Sequence, residues 1–185
     1  SYWEHLGKPK NISLIELGPG DGSLCVDLLK TFKHFKDFYK CLKINLLEVS
    51  NGLKKIQKNK INNKKVTWIK KINNINSGPI IFIANEFFDA LAIKQIYKKK
   101  GIFFEKHVCL TNNDKKIKFL LKKANVKLIK KIKSLNLISR GKTIEYPLEA
   151  IKFLSAISKK INKFNGGLLT FDYGSSVKRN QDTLQ

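Results

Sequence analysis

The segment Glu16-Leu17-Gly18-Pro19-Gly20-Asp21-Gly22-Ser23-Leu24 sets an acid two residues ahead of glycines at alternate positions. Glycine adopts positive φ and, lacking Cβ, lets the backbone approach a ligand closely. A helix opening directly behind such a turn offers unpaired N–H groups. The pattern suits a nucleotide-like ligand held by Glu16, Gly18, Gly20 and Gly22; an empty strand–helix turn is the weaker alternative. A second acid, Glu48, closes the run Leu46-Leu47-Glu48-Val49-Ser50. An acid at the end of a second strand can accept both hydroxyls of a ribose, although a strand-end acid can also simply be exposed. A third group, Asn85, Glu86 and Asp89, follows an apolar run and flanks Phe87 and Phe88. Core packing explains one phenylalanine or the other; it does not explain an amide and two carboxylates together, which read as a substrate-receiving edge. In the fourth block, Gly166–Gly174, Asp172 or Tyr173 either lines the same crevice or caps a turn.

The elements that would position these residues are legible in the hydrophobic pattern. Ile12–Leu17, Ile44–Val49, Val66–Ile69 and Ile80–Ala84 are short apolar runs of buried-strand type. Leu24, Leu28, Leu29 and Phe32 have helical spacing over Ser23–Phe32, and Ser50 or Asn51 can cap a helix after the second strand. Strands alternating with helices predict a parallel sheet in an α/β fold, with ligands at the carboxyl ends of the strands. The middle changes character. Ile93–Tyr97 and Ile102–Leu110 read as a β-hairpin, and Asn112-Asn113-Asp114 as a turn into a strand over Ile117–Leu121 with a lysine-rich helix after it. A hairpin insertion is therefore expected at 93–122. Pro147–Ile161 is a helix with proline at its start, Gly166-Gly167 reads as its stop, and Leu168–Phe171 as another buried strand. No linker divides the chain, so residues 1–185 read as one truncated domain.

The chain has 185 residues, 42% hydrophobic and 28% charged, a globular composition that excludes disorder, collagen and a disulfide scaffold. Its 37 Lys+Arg against 14 Asp+Glu give a net charge of +23. All but Arg140 and Arg179 of the basic residues are lysine, spread along the chain among Asn and Ile. That is the signature of an AT-rich genome. Nucleic-acid binders favour arginine forks with interleaved aromatics, so nucleic acid is not the expected partner. Cys25, Cys41 and Cys109 form no CxxC or His–Cys cluster, so no metal is expected and the thiols read as free. Pro79–Ala84 is too short to span a bilayer. Met is absent and residue 1 is Ser, which reads as a fragment.

A dinucleotide fingerprint G-x-G-x-x-G would need glycine at position 23, where Ser23 stands. Acid-x-G-x-G-x-G instead resembles the first motif of class I S-adenosyl-methionine-dependent methyltransferases. There the acid contacts the methionine moiety and the glycines accommodate the adenosine side. A carboxylate suits a ligand that carries an ammonium and a sulfonium rather than a pyrophosphate. Taken with LLEVS at 46–50, IANEFFDAL at 83–91, GGLLTFDYG at 166–174 and DTLQ at 182–185, the chain resembles the MidA-like family of these enzymes. Asp21 and Ala92 depart from the arginine and proline usual in that family. The resemblance implies an α/β, Rossmann-like class I methyltransferase core with a mostly parallel sheet and a strand-rich insertion after the fourth strand, taken from a longer enzyme. It implies S-adenosyl-methionine as cofactor and arginine N-methylation of a complex I subunit of the 49-kDa type during respiratory complex assembly. Guanidinium chemistry then assigns Glu86 to orient the substrate, with Asn85 and Asp89 shaping its pocket. The expected location is a bacterial cytoplasm, with the mitochondrial matrix as the alternative. The rival readings are a basic RNA- or assembly-binding module on the same fold without catalysis, and an NAD-dependent oxidoreductase.

Overall fold

A computed structural model of the chain describes residues 2–111, 116–137 and 143–174. The turn at Asn112-Asn113-Asp114, both arginines and Asp182–Gln185 lie outside the described residues. The chain forms two units, Ser1–Ala90 with Lys152–Tyr173, and Leu91–Ile151 with Gly174–Gln185.

The first unit runs through α1 (Tyr2–His5), β1 (Ile12–Leu17), α2 (Ser23–Phe32), α3 (Lys36–Cys41), β2 (Leu42–Leu47), α4 (Asn51–Lys60), β3 (Val66–Ile69), a 3-10 turn (Ile72–Asn74) and β4 (Ile80–Asn85). It is completed by the later residues of α6 (Leu148–Phe164) and by β9 (Gly166–Phe171). Its five strands lie in the order β3-β2-β1-β4-β9, and every pairing is parallel. A parallel sheet is apolar on both faces because helices cover both, and β1 is buried at all six positions. One face presents Ile12, Leu14, Ile44 and Leu46 to Cys25 and Leu29 of α2 and to the α3 aromatics. The other presents Ile15, Leu17, Ile80 and Phe82 to Phe153, Ile157 and Ile161 of α6. Each such fully buried large side chain stabilises the fold by about 1.5–3 kcal/mol.

The chain leaves β1 toward β2 and β3 on one side, then returns to place β4 on the other. This reversal opens a crevice at the carboxyl ends of the strands. The register is level there: Leu17 lies opposite both Leu47 and Ala84, and Asn85 opposite Phe171. The turns after β1, β2, β4 and β9 therefore emerge side by side.

Gly166-Gly167 does not stop the helix. α6 ends at Phe164, and Asn165, in the left-handed region at φ 60, terminates it. Both glycines belong to β9, and Gly166 must be glycine because a Cβ there would lie 1.7 Å from the Ile80 carbonyl oxygen. β2 spans Leu42–Leu47 rather than 44–49: Val49 is already 75% exposed.

The second unit holds an antiparallel sheet of order β7-β6-β5-β8, built from β5 (Lys94–Lys99), β6 (Ile102–Leu110), β7 (Ile117–Lys123) and β8 (Thr143–Tyr146). α5 (Val126–Ser134) follows β7, as the change from strand to helix spacing predicts. Ile132 of α5 is fully buried with Ile96, Ile144 and Tyr146, while the lysines of α5 stay outside this cluster. β5 and β6 are the hairpin expected in this region.

Candidate functional site

The glycine turn is shaped by sterics. Gly18, Gly20 and Gly22 all have positive φ, at 61, 54 and 85. A Cβ on Gly18 would stand 2.8 Å from Phe87 Cδ2, whereas one on Gly20 would meet nothing within 4 Å. Gly18 is thus required by a neighbour, and Gly20 keeps space open toward the crevice. The Gly22 N–H donates to the Pro19 carbonyl at 2.8 Å, closing the turn at the N-cap of α2. Asp21, exposed, accepts from Lys60 Nζ at 2.6 Å and from the Ser23 N–H and hydroxyl at 3.0 and 2.9 Å. These donors, Lys60 foremost, hold its carboxyl well below the usual carboxylate range. Asp21 is therefore occupied by Lys60 of α4 and by Ser23 of its own turn.

Glu16 is 3% exposed and sits on the α2 face of the sheet beside Cys25. Burial pushes its carboxyl up to about 7, and burial pushes the Cys25 thiol up to about 12, with Glu16 adding to it. Glu16 Oε2 is buried with no hydrogen-bond partner among the described residues. An unpaired buried carboxyl oxygen is costly, and a cationic ligand group would relieve that cost by favouring ionisation.

Glu48 is 6% exposed. Its Oε1 accepts the Ser50 N–H at 2.8 Å, while the Ser50 hydroxyl accepts the Leu53 N–H and caps α4. Its Oε2 accepts from Gln57 Nε2 at 3.1 Å. Gln57, completely buried, also donates to the Gly20 carbonyl at 2.7 Å and accepts from Trp68 Nε1 at 2.8 Å. The sequence reading missed Gln57. The signal was present: Leu53 and Gln57 of α4 and Ile61 just after it follow one another at four-residue steps, and only the middle one is polar.

Asn85 ends β4 and is exposed, and Glu86 follows in the left-handed region at φ 48. Its N–H donates to the Phe171 carbonyl at 2.8 Å. Asp172 Oδ2 accepts the N–H groups of Phe88 and Asp89, both at 3.2 Å, so Asp172 caps the turn after β4. The Tyr173 hydroxyl donates to Glu86 Oε1 at 3.1 Å. Glu86 holds the tyrosine proton and raises the Tyr173 pKa, with Asp89 and Asp172 adding to the effect. Three carboxylates thus converge on one exposed phenol. Phe87 turns inward, packing edge-on to Phe88 and Phe153 at 5.3 and 5.1 Å and underlying Gly18. It joins the turn after β4 to the turn after β1.

A cavity of about 460 Å³ lined by Trp3, Leu14, Phe32, Phe38, Ile81 and Ile83 lies on the α2–α3 face. Glu4, Lys8, Lys36 and Asp37 also line it, and none of the site acids does. Among the described residues no group of His, Cys, Asp and Glu is gathered for a metal, and no helix is long and apolar enough to cross a membrane.

The parallel sheet with its switch point, the glycine turn after β1 and the acid after β2 define a Rossmann-like class I methyltransferase core. The orphaned Glu16 oxygen and the open space at Gly20 fit S-adenosyl-methionine, whose ammonium and adenosyl groups need an acid and an uncrowded turn. Comparison with known proteins agrees. The family model described as "Putative S-adenosyl-L-methionine-dependent methyltransferase" matches residues 1–185, and the chain belongs to this family, the MidA-like methyltransferases. S-adenosyl-methionine is the cofactor of the family. Protein arginine methyltransferase NDUFAF7, mitochondrial, of Xenopus laevis is 31% identical over a 199-residue alignment covering 94% of this chain and 45% of that protein. The Caenorhabditis elegans homologue is 32% identical, with 93% and 45% covered. The chain spans about half the length of these curated relatives. A crystal structure of a Burkholderia thailandensis protein bound to S-adenosyl-homocysteine matches with a TM-score of 0.62 at 18% identity, covering 83% of this chain and 40% of that one. A native structure from the same organism matches at 0.66 and 17%, covering 83% and 41%.

Proposed function

We propose that the full-length protein containing this chain methylates an arginine side chain of a protein substrate, the complex I subunit of the 49-kDa type, during respiratory complex assembly. The arginine chemistry is supported by the relatives named protein arginine methyltransferase; the subunit rests on the family resemblance. The mitochondrial names of those relatives favour the matrix over a bacterial cytoplasm.

The observation that carries the acceptor chemistry is Glu86, fixed by its backbone bond to Phe171 and its Tyr173 partner one residue from Phe87. S-adenosyl-methionine supplies a methyl group made electrophilic by its sulfonium. Glu16 and the open Gly20 turn bind at the first strand end, and Glu48 accepts ribose hydroxyls at the second. A guanidinium is a planar fork of N–H donors that stays protonated near neutrality. The Glu86 carboxylate, oriented by Tyr173, accepts such a fork and holds one nitrogen toward the crevice. Asp89 and Asp172 add negative potential around it. Asn85, at the mouth of the turn, shapes the pocket. Catalysis here is positioning and charge: the acids stabilise the cationic acceptor and help localise electron density on the attacking nitrogen.

In the full-length protein, Glu86→Gln keeps the shape and removes the charge. Methylation should fall about a hundredfold or more while S-adenosyl-homocysteine binding, measured by calorimetry, stays at the wild-type value. A wild-type methylation rate overturns the assignment.

A further inference from the structure

We propose that Gln57 is a cofactor-positioning residue that sets the aim of the Glu48 carboxylate and thereby the preference for a ligand with an intact ribose diol. The inference rests on the cofactor reading above and extends it to a residue that does not touch the ligand.

The three partners of Gln57 leave its amide one orientation. An indole N–H can only donate, so Trp68 Nε1 must face the amide oxygen. A carbonyl and a carboxylate can only accept, so Gly20 and Glu48 must face the amide nitrogen. Flipping the amide would set donor against donor and acceptor against acceptor at all three contacts. Gln57 is completely buried. Trp68 therefore indexes Gln57, and Gln57 indexes both the turn after β1 and the acid after β2.

The consequence falls on Glu48. An ionised carboxylate offers about four acceptor positions over its two oxygens. The Ser50 N–H takes one on Oε1 and Gln57 takes one on Oε2, which leaves one on each oxygen. One free acceptor on each oxygen matches in number the two neighbouring hydroxyls of a ribose. Glutamine also does this without charge. A lysine at the same place would neutralise Glu48, and an apolar residue would leave Oε2 without its donor and the carboxylate free to rotate.

The test uses the full-length protein and two probes, S-adenosyl-homocysteine and its 2′,3′-dideoxy analogue, titrated calorimetrically into wild type and Gln57→Met. One charge-assisted hydrogen bond corresponds to about a tenfold change in affinity. Gln57→Met should weaken S-adenosyl-homocysteine by about tenfold or more and the dideoxy analogue several-fold less, because the analogue has no hydroxyls for Glu48 to receive. A purely structural role for Gln57 predicts equal losses for both ligands, and that result overturns the proposal. If Gln57→Met does not fold, Trp68→Phe serves instead: it leaves Gln57 in place, removes the donor that fixes its amide, and should show a smaller loss that is again diol-dependent. A wild type that binds neither probe overturns the cofactor reading itself. A wild type that binds both, with variant losses independent of the hydroxyls, overturns the Gln57 inference alone.

Discussion

Replacing Glu16 by glutamine should make the protein more stable and worse at binding its cofactor, and the two effects should carry different pH signatures. The Glu16 carboxyl has an ordinary value of 4.5 and is pushed to about 7 in the fold by desolvation. Below pH 4.5 it is protonated in both states and costs nothing. As pH rises from 4.5 to about 7, the unfolded chain loses the proton and the folded chain keeps it, so stability falls across that window and stays low above it. At about 1.4 kcal/mol per pH unit, the loss amounts to about 3 kcal/mol. Glu16→Gln mimics the protonated form at every pH. Urea denaturation of wild type and variant should therefore give nearly equal stabilities near pH 4.5 and a gap of about 3 kcal/mol in favour of the variant at pH 8. Cofactor binding should move the other way. The variant offers no charge to an ammonium, and its affinity for S-adenosyl-homocysteine should drop by about tenfold or more. Wild-type binding at pH 6.5 should also release a proton, visible as a dependence of the calorimetric heat on the buffer's ionisation enthalpy. A stability gap that does not change with pH, together with binding that releases no proton, would refute the desolvation account of Glu16.

Two glycine substitutions separate steric from ligand-facing roles. Gly18→Ala, with φ 61 and a Cβ 2.8 Å from Phe87 Cδ2, should cost about 1–3 kcal/mol in urea denaturation. Gly20→Ala, with open space around its Cβ, should cost about 1 kcal/mol of backbone strain and show its larger effect in cofactor affinity. Gly166→Ala places a Cβ 1.7 Å from the Ile80 carbonyl oxygen; β9 cannot pair in register, and soluble expression should collapse, whereas Gly167→Ala should be tolerated.

What could be read from the sequence follows from how local each signal is. β1, α2 and the turn between them were legible to the residue, because four apolar residues (Ile12, Leu14, Ile15 and Leu17), alternate glycines and helical spacing lie within about twenty residues. The placement of Glu48 and Glu86 beside that turn followed from the switch-point rule for α/β sheets. Gln57 escaped because α4 is a lysine- and asparagine-rich helix in which one more polar residue carries little contrast; only its place between Leu53 and Ile61 marks it. The role of Gly166 escaped because the atom that forbids a side chain there belongs to Ile80, far away in sequence. The pairing of Tyr173 with Glu86, 87 positions apart, depends on the register between β4 and β9, which no local pattern encodes.

That same register has a consequence during synthesis on the ribosome. β4 pairs on one side with β1, made long before it, and on the other with β9, made long after. Gly166 emerges about 80 residues after Asn85, roughly 4–16 s later at 5–20 residues per second. For that interval Ile80, Ile81, Phe82 and Ile83 form an apolar strand with one edge unpaired, and the α6 residues that bury Ile80 and Phe82 have not yet been made. An uncovered apolar edge is a template for pairing with other chains. The nascent chain is most vulnerable to aggregation in this window, and it closes when the strand that also carries Asp172 and Tyr173 to the site is finally translated.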